Sequence, residues 1–309
     1  MKGSVYIAGC GGMLGDAFHD SFGKSYDLMC TDVDVNESWL SYLDIRDFDA
    51  YRDSVRTFRP NYLFHLGACT SLEYCEQHVD DAYATNTLAV ENATLIANEL
   101  GIPLLYIGTA GIFDGKRDSY DEWDTPNPLG HYARSKYAGE RYVVEHAHRY
   151  LVCRAGWMMG GGPRKDKKFV QKVMAQLRAG KRELAIVNDK DGTPTYTVDF
   201  ARNVETLLDR EVWGLYHVAC GGLTSRLEVT HELLAATGLT DRVRVTEVGS
   251  DHFKQEYFAP RPPSERMLNR KLDLRGSNVM RDWRVALRDY LDTAYRDYLG
   301  DPGSAAAPR

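Results

Sequence analysis

The sequence predicts an α/β protein: a doubly wound parallel sheet with helices on both faces and a smaller C-terminal portion packed against it. Three observations carry this. Short apolar runs alternate with amphipathic stretches from the first residues onward, as parallel strands joined by crossover helices require. The runs are almost continuously apolar, which fits strands covered on both faces. A glycine cluster follows the first run and opens a helical pattern, the arrangement of a nucleotide-binding turn.

In chain order, strands are expected at 5–9, 27–31, 62–68, 104–109, 151–154, 184–187 and 215–219. The clearest helical patterns are 81–100 and 132–146. Residues 114–130 are rich in Asp, Pro and Gly and read as a loop over the sheet edge. The run Gly160-Gly161-Gly162-Pro163 marks another break. Beyond about residue 155 the alternation loosens. Residues 1–155 are therefore read as the nucleotide-binding domain, with later contributions near 184–220. Residues 156–300 are read as the main substrate-binding portion, interleaved with it. The tail 301–309 is rich in small residues, and disorder is expected there.

Composition narrows the function. The chain has 309 residues, 43% of them hydrophobic, and a net charge of −6. That charge argues against a general nucleic-acid binder, which needs a basic face. No apolar run approaches the length of a membrane span, and the N-terminus shows no signal peptide. Cys10, Cys30, Cys69, Cys75, Cys153 and Cys220 are scattered without a Cys-x-x-Cys pair. They read as reduced thiols in a cytoplasmic protein. No acid cluster calls for a metal ion.

The run Gly9-Cys10-Gly11-Gly12-Met13-Leu14-Gly15 lies between the first strand and a helix. Glycine permits the tight turn and the approach of backbone N–H groups to a pyrophosphate, whose charge the helix N-terminus favours. Gly9, Gly12, Met13, Leu14 and Gly15 are thus candidate cofactor contacts. Asp32, at the end of the second strand, stands at the spacing expected for a ribose 2′-hydroxyl ligand. It would repel a 2′-phosphate, and no arginine adjoins the loop or directly follows that strand, so NAD(H) is favoured over NADP(H). Asp44 and Ile45 are placed near the adenine, although Asp44 could equally cap a helix. Leu66, Gly67 and Ala68, closing the third apolar run, are candidates to pack against the cofactor. His65 in that run reads as a core histidine, or as packing against the cofactor, rather than a catalyst.

Tyr132 and Lys136, in Gly130-His131-Tyr132-Ala133-Arg134-Ser135-Lys136, are four apart on a helix and share a face. A nearby ammonium would lower the tyrosine pKa and make it a proton donor or acceptor. With the glycine loop, the pair points to redox chemistry at a carbonyl or alcohol. Trp157 is either core or a pocket wall, and Arg154 either a strand-end surface residue or a diphosphate contact. Arg164-Lys165-Asp166-Lys167-Lys168 reads as a solvated loop, which could still draw in an anionic ligand. Arg261 lies in the rigid stretch Ala259-Pro260-Arg261-Pro262-Pro263, which could present it to a phosphate. Asn86 either stabilises the active-site backbone or faces solvent.

Taken together, Gly-x-x-Gly-x-x-Gly, Thr109 after the fourth strand, and Tyr132-x-x-x-Lys136 resemble the extended short-chain dehydrogenase/reductases. Further matches narrow the likeness: Phe113-Asp114-Gly115, the run from Tyr132 to Glu140, Arg154-Ala155-Gly156-Trp157, Asp189 with Gly192-Thr193-Pro194-Thr195-Tyr196, Thr224-Ser225, and, loosely, Arg261-Pro262. To about residue 272 the chain is similar to the dTDP-4-dehydrorhamnose reductases. The resemblance implies a Rossmann domain with an interleaved substrate domain, a homodimer, and reduction of a nucleotide-linked 4-keto-6-deoxysugar. It implies Thr109, Tyr132 and Lys136 as the catalytic triad, and Thr109, Phe113, Tyr132, Trp157 and Arg261 as substrate contacts.

One departure bears on chemistry. Where the family carries Thr-Asp-Tyr, this chain has Thr109-Ala110-Gly111. Elimination of water from the sugar needs an acid and a base beside the threonine, which Ala110 and Gly111 cannot supply. A reductase survives, as does an epimerase of the same fold. From another class, a non-catalytic regulatory subunit, like the superfamily member that binds methionine adenosyltransferase, is also compatible with the altered run.

Overall fold

The computed structural model describes residues 2–300. Its first half runs β1 (Gly3–Ala8), α1 (Met13–Phe22), β2 (Tyr26–Asp32), β3 (Leu40–Tyr42), α2 (Phe48–Phe58), β4 (Tyr62–His65), α3 (Leu72–Gln77), α4 (Val79–Tyr83), α5 (Ala89–Leu100), β5 (Leu104–Thr109), α6 (His131–His146) and β6 (Tyr150–Ala155). The second half runs β7 (Trp157–Met159), α7 (Gly162–Lys165), α8 (Phe169–Arg178), β8 (Glu183–Val187), β9 (Asp191–Gly192), β10 (Pro194–Tyr196), α9 (Thr197–Asp209), β11 (Gly214–His217), β12 (Thr224–Ser225), α10 (Arg226–Ala236), β13 (Arg244–Val248), β14 (Ser264–Glu265), α11 (Arg270–Leu274) and α12 (Trp283–Ala294).

Seven strands form one sheet in the order β11-β6-β5-β4-β1-β2-β3, and every pairing in it is parallel. This is the doubly wound sheet the alternation predicts. Period-two burial explains its two covered faces. On β1, Val5 and Ile7 join one core while Tyr6 and Ala8 join the other; on β5, Leu105 and Ile107 face opposite to Leu104 and Tyr106. The first core is closed by α1, α8, α9 and α12, the second by α2, α5 and α6. Burial of each large apolar side chain contributes about 1.5–3 kcal/mol.

The strand order reverses beside β1, between β4 on one side and β2 on the other, so the chain leaves β1 and β4 in divergent directions. Ligands of open α/β sheets bind in that crevice, outside the carboxyl ends of the strands.

Several expectations are corrected. The run 184–187 is a strand, but β8 pairs with β13 outside the main sheet. Only Leu184 and Ile186 of it are buried, the signature of a strand covered on one face. The third run leaves the sheet at His65, because Leu66 and Gly67 both turn their N–H groups onto the carbonyl of Ala8. The helical run 81–100 is interrupted by a π-helical turn over Ala84–Leu88. The edge strand β3 escaped notice because three residues with one buried side chain carry no period. The expected tail 301–309 lies outside the described residues. Among the described residues no helix is long and apolar enough to cross a membrane.

Candidate active site

The glycine loop is shaped by close backbone approach. Gly9 takes the left-handed conformation at φ 81°, and a Cβ there would collide with the backbone of Gly67. A Cβ on Gly15 would strike the carbonyl of Cys10, so α1 can lie against the loop only because position 15 is glycine. Gly12 is the N-cap of α1, has no side-chain cap, and has open space where a side chain would be. Exposed backbone donors at a helix start, with room beside them, suit a pyrophosphate. The residues therefore fit a dinucleotide. Leu14 is buried beneath the loop and can contribute only its backbone, while Met13 is half-buried at the rim.

Asp32 braces this loop. One carboxylate oxygen accepts from Gly11 N at 2.8 Å and the other from Asp34 N at 2.9 Å. Each retains a second lone pair for a ribose hydroxyl. Leu66, Gly67 and Ala68 are half-exposed beside Gly9. Ile45 packs its Cδ1 2.5 Å from where a Gly67 side chain would begin. Asp44 does not cap a helix: the cap of α2 is Asp47, which accepts from Ala50 N. Asp44 instead pairs with Arg46 at 2.6 Å, and Arg46 reaches on to Asp81. His65 is a core histidine, bonded through Nδ1 to the Tyr51 hydroxyl, and burial holds its pKa down at about 3.

Thr109 ends β5 and accepts from Gly111 N at 3.1 Å. Its hydroxyl lies beside Tyr132, which enters from the first turn of α6: a side chain begun at Gly111 would lie 3.5 Å from Thr109 Oγ1 and 3.9 Å from Tyr132 Cε1. Burial pushes the Tyr132 phenol up to about 12, the neighbouring Thr109 hydroxyl pulls against this, and Glu265 adds to the rise. The expected tuning of Tyr132 by Lys136 is a correction. Lys136 is buried with Nζ 4.2 Å from the Tyr106 ring centroid, and burial brings its ammonium down to about 7 against the pull of Glu140. A buried amine at this pKa is only partly charged near neutrality, and a phenol buried beside a carboxylate stays protonated.

Asn86 braces the backbone at Cys69 and does not face solvent. It is fully buried, exchanges hydrogen bonds with both the N–H and the carbonyl of Cys69, and donates to Ser135 in α6. The π-helical turn carrying it aims the amide at both segments at once.

Trp157 packs with residues that sequence reasoning missed. Its indole N–H donates to Glu265 at 2.7 Å, and the Arg226 guanidinium lies 3.6 Å from its ring centroid. Burial lowers Arg226 to about 10. Arg226 also faces Phe169, and its charge is felt by Lys168 together with that of Arg261. Arg261 is held by Glu73 at 2.7 Å and by the carbonyl of Ala259. Nothing in the local sequence of Arg226 or Glu265 distinguishes them from surface residues.

Three further readings are corrected. Phe113 is fully buried and stacked on Tyr120 at 4.2 Å, so the expected substrate contact there does not reach the cleft. Arg154 is neither a surface residue nor open to a diphosphate: it is buried in an ion pair with Glu140 at 2.6 Å. In the run 164–168 only Arg164 and Lys167 are exposed. Lys165 is buried against Asp16 and Glu37, and Asp166 accepts from the Tyr290 hydroxyl. Salt bridges to elements distant in sequence, invisible in a charge run, draw these groups inward.

The chain is similar to known proteins along nearly its whole length. The family model described as the RmlD substrate binding domain matches residues 1–296. The chain is 29% identical to the spore coat polysaccharide biosynthesis protein SpsK of Bacillus subtilis (strain 168), over 93% of this chain and 96% of that protein. It is 31% identical to a dTDP-4-dehydrorhamnose reductase of Mycobacterium tuberculosis, over 92% and 90%. It is 28% identical to methionine adenosyltransferase 2 subunit beta of Danio rerio, over 93% and 90%. Among solved structures, dTDP-4-dehydrorhamnose reductase from Bacillus anthracis str. Ames in complex with NADP superposes with a TM-score of 0.85 at 29% identity, covering 94% of this chain and 99% of that one. The chain thus belongs to the RmlD substrate-binding-domain family.

Proposed function

We propose that this protein reduces a nucleotide-linked 4-keto-6-deoxysugar with a reduced nicotinamide dinucleotide, using Thr109, Tyr132 and Lys136. The observation that carries the reading is the juxtaposition of the Thr109 hydroxyl and Tyr132 beside Gly111, at the carboxyl end of β5 and in the crevice that the glycine loop opens. The carbonyl oxygen of the sugar takes its place between these two hydroxyls. Tyr132, protonated at neutral pH, gives its proton to that oxygen. When bound, the reduced nicotinamide supplies the hydride. Thr109 holds the carbonyl in line, and Lys136 serves the cofactor ribose rather than the phenol.

Gly9, Gly12, Met13, Leu14 and Gly15 form the pyrophosphate cradle, and Leu66, Gly67, Ala68, Asp44 and Ile45 border the adenosine. Asp32 supports NAD(H) over NADP(H). Against it stands Arg164, which the fold brings onto Glu37 in the loop after β2, near where a 2′-phosphate would lie. Trp157, Arg261, Arg226 and Lys168 wall the substrate side, where three cations suit its diphosphate. Residues 1–155, with the returning α9 and β11, make up the cofactor half, and 156–300 most of the substrate half. Leu88, Leu95 and Val144 are exposed on α5, α6 and the turn between α4 and α5, which supports a homodimer through that face.

The test is consumption of NADH and NADPH with dTDP-4-keto-6-deoxyglucose, followed by absorbance. Turnover lost in Tyr132→Phe supports the reading, and unchanged turnover overturns it. Oxidation of added NADH separates reduction from epimerisation. The likeness to a methionine adenosyltransferase beta subunit favours one second reading, a non-catalytic nucleotide-binding subunit. Co-purification of a partner enzyme together with absence of turnover would establish it.

A further inference from the structure

The pocket contains a carboxylate for which the reduction has no use. Glu265 lies on β14, far in sequence from the catalytic residues, and is half-buried. Its Oε2 accepts from Trp157 Nε1 at 2.7 Å. Trp157 is itself immobilised, because the backbone of Gly192 packs directly on its ring and Arg226 covers one face. Glu265 is thus oriented by a rigid partner, and among the described residues its Oε1 has no hydrogen-bond partner.

That free oxygen points into the space left by Gly111. A Cβ built on Gly111 would lie 3.4 Å from Glu265 Oε1, 3.5 Å from Thr109 Oγ1 and 3.9 Å from Tyr132 Cε1. A single small volume therefore touches the carboxylate and both hydroxyl-bearing residues, and it is open because position 111 has no side chain. Electrostatics agree: Glu265 is the foremost charge acting on the Tyr132 phenol.

We propose that Glu265 is a specificity-determining residue, whose Oε1 accepts a hydrogen bond from a hydroxyl or amino group on the sugar carbon next to the reacting carbonyl. The proposal rests on the reductase reading above. Vicinal oxygens on a sugar ring lie about one hydrogen-bond length apart. With the carbonyl oxygen between Thr109 and Tyr132, the neighbouring substituent falls in the Gly111 space. A carboxylate only accepts, so this position selects donors. A substrate without one leaves the oxygen desolvated and unpaired, the condition under which binding sites discriminate most strongly.

The test compares a nucleotide 4-keto-6-deoxyhexose with its 3-deoxy counterpart in the wild type and in Glu265→Gln. The amide keeps the size of the side chain and can still accept from Trp157, but it places a donor where Oε1 was. The wild type should prefer the 3-hydroxyl substrate by about 10–100-fold in kcat/KM, the range of a hydrogen bond to a charged group. Glu265→Gln should lose most of that preference through KM, with NADH affinity intact. A merely structural role would depress both substrates alike. Gly111→Ala, whose methyl meets nothing nearer than 3.4 Å, fills the same space and should erase the same preference even if Glu265→Gln fails to fold. Retention of the wild-type ratio in either folded variant overturns the proposal. If the wild type reduces neither sugar, the reductase reading fails separately. Calorimetric binding of the corresponding nucleotide 6-deoxyhexoses then decides the role of Glu265. A 3-hydroxyl preference confined to the wild type supports it. Equal ratios in both proteins, or no binding, overturn it.

Discussion

Glu140 and Arg154 form a forked ion pair at 2.6 Å with side chains only 2% and 4% exposed. The pair clamps α6, which carries Tyr132 and Lys136, onto the sheet beside the strand that ends in Thr109. Gly108 makes room for it, since a Cβ there would lie 2.7 Å from Glu140 and 2.8 Å from Arg154. Removing one partner strands a buried charge, which costs about 3–5 kcal/mol. Glu140→Gln should lower the urea midpoint accordingly. Replacing both residues with apolar ones of similar volume should recover a large part of the loss. Equal stability of Glu140→Gln and the wild type would show that the pair contributes little.

Tyr132→Phe removes the proton but not the ring. Its kcat should fall by roughly 10²–10⁴-fold, the usual worth of a general acid, while NADH binding measured by fluorescence titration stays the same. Thr109→Ala removes one neutral hydrogen bond and should cost only roughly 2–10-fold in kcat/KM.

The two glycines of the loop should separate folding from cofactor binding. Gly12→Ala meets open space, so thermal unfolding of the free protein should be unchanged while NADH affinity falls as the methyl intrudes on the phosphate path. Gly15→Ala collides with the Cys10 carbonyl and should destabilise the free protein before any ligand is added. Unaltered NADH affinity in Gly12→Ala would place the phosphates elsewhere.

Burial lowers Lys136 to about 7 in the folded protein, while the unfolded side chain titrates near 10.4. Between these values the unfolded chain holds a proton that the native one lacks, so Lys136 makes stability rise with pH across that window and leaves it flat below. Lys136→Met should remove the rise, which urea midpoints at neutral and alkaline pH can read. The phenol behaves oppositely: raised to about 12, Tyr132 stays protonated throughout the neutral range. A fall in kcat/KM for ketone reduction above about pH 7 should therefore track Lys136, not Tyr132.

The doubly wound sheet and the glycine loop were legible because both are local. Tyr6 and Ile7, or Tyr106 and Ile107, show their opposite faces by alternation alone, and the turn at Gly9 is a property of one residue's backbone. That Tyr132 and Lys136 share one helix was legible from their spacing, and Thr109 was singled out by resemblance. Their electrostatics were not legible. The lysine that spacing aims at Tyr132 is drawn instead over Tyr106, and the desolvation of both groups depends on chain that closes over them from elsewhere.

By itself, then, the sequence determined the strands of the main sheet other than β3 and the glycine turn between β1 and α1, since hydrophobic period and glycine geometry act over a few residues. Only the tertiary structure decided which charges are buried and which meet. Arg154 and Lys165 look like surface cations until Glu140 and Asp16 are brought to them. Phe113 looks like a ligand contact until Tyr120 stacks on it. Glu265 is an unremarkable acid until the fold carries it to Trp157, 108 positions away. Such pairings depend on distances between elements far apart in the chain, and these arise only when the apolar faces pack.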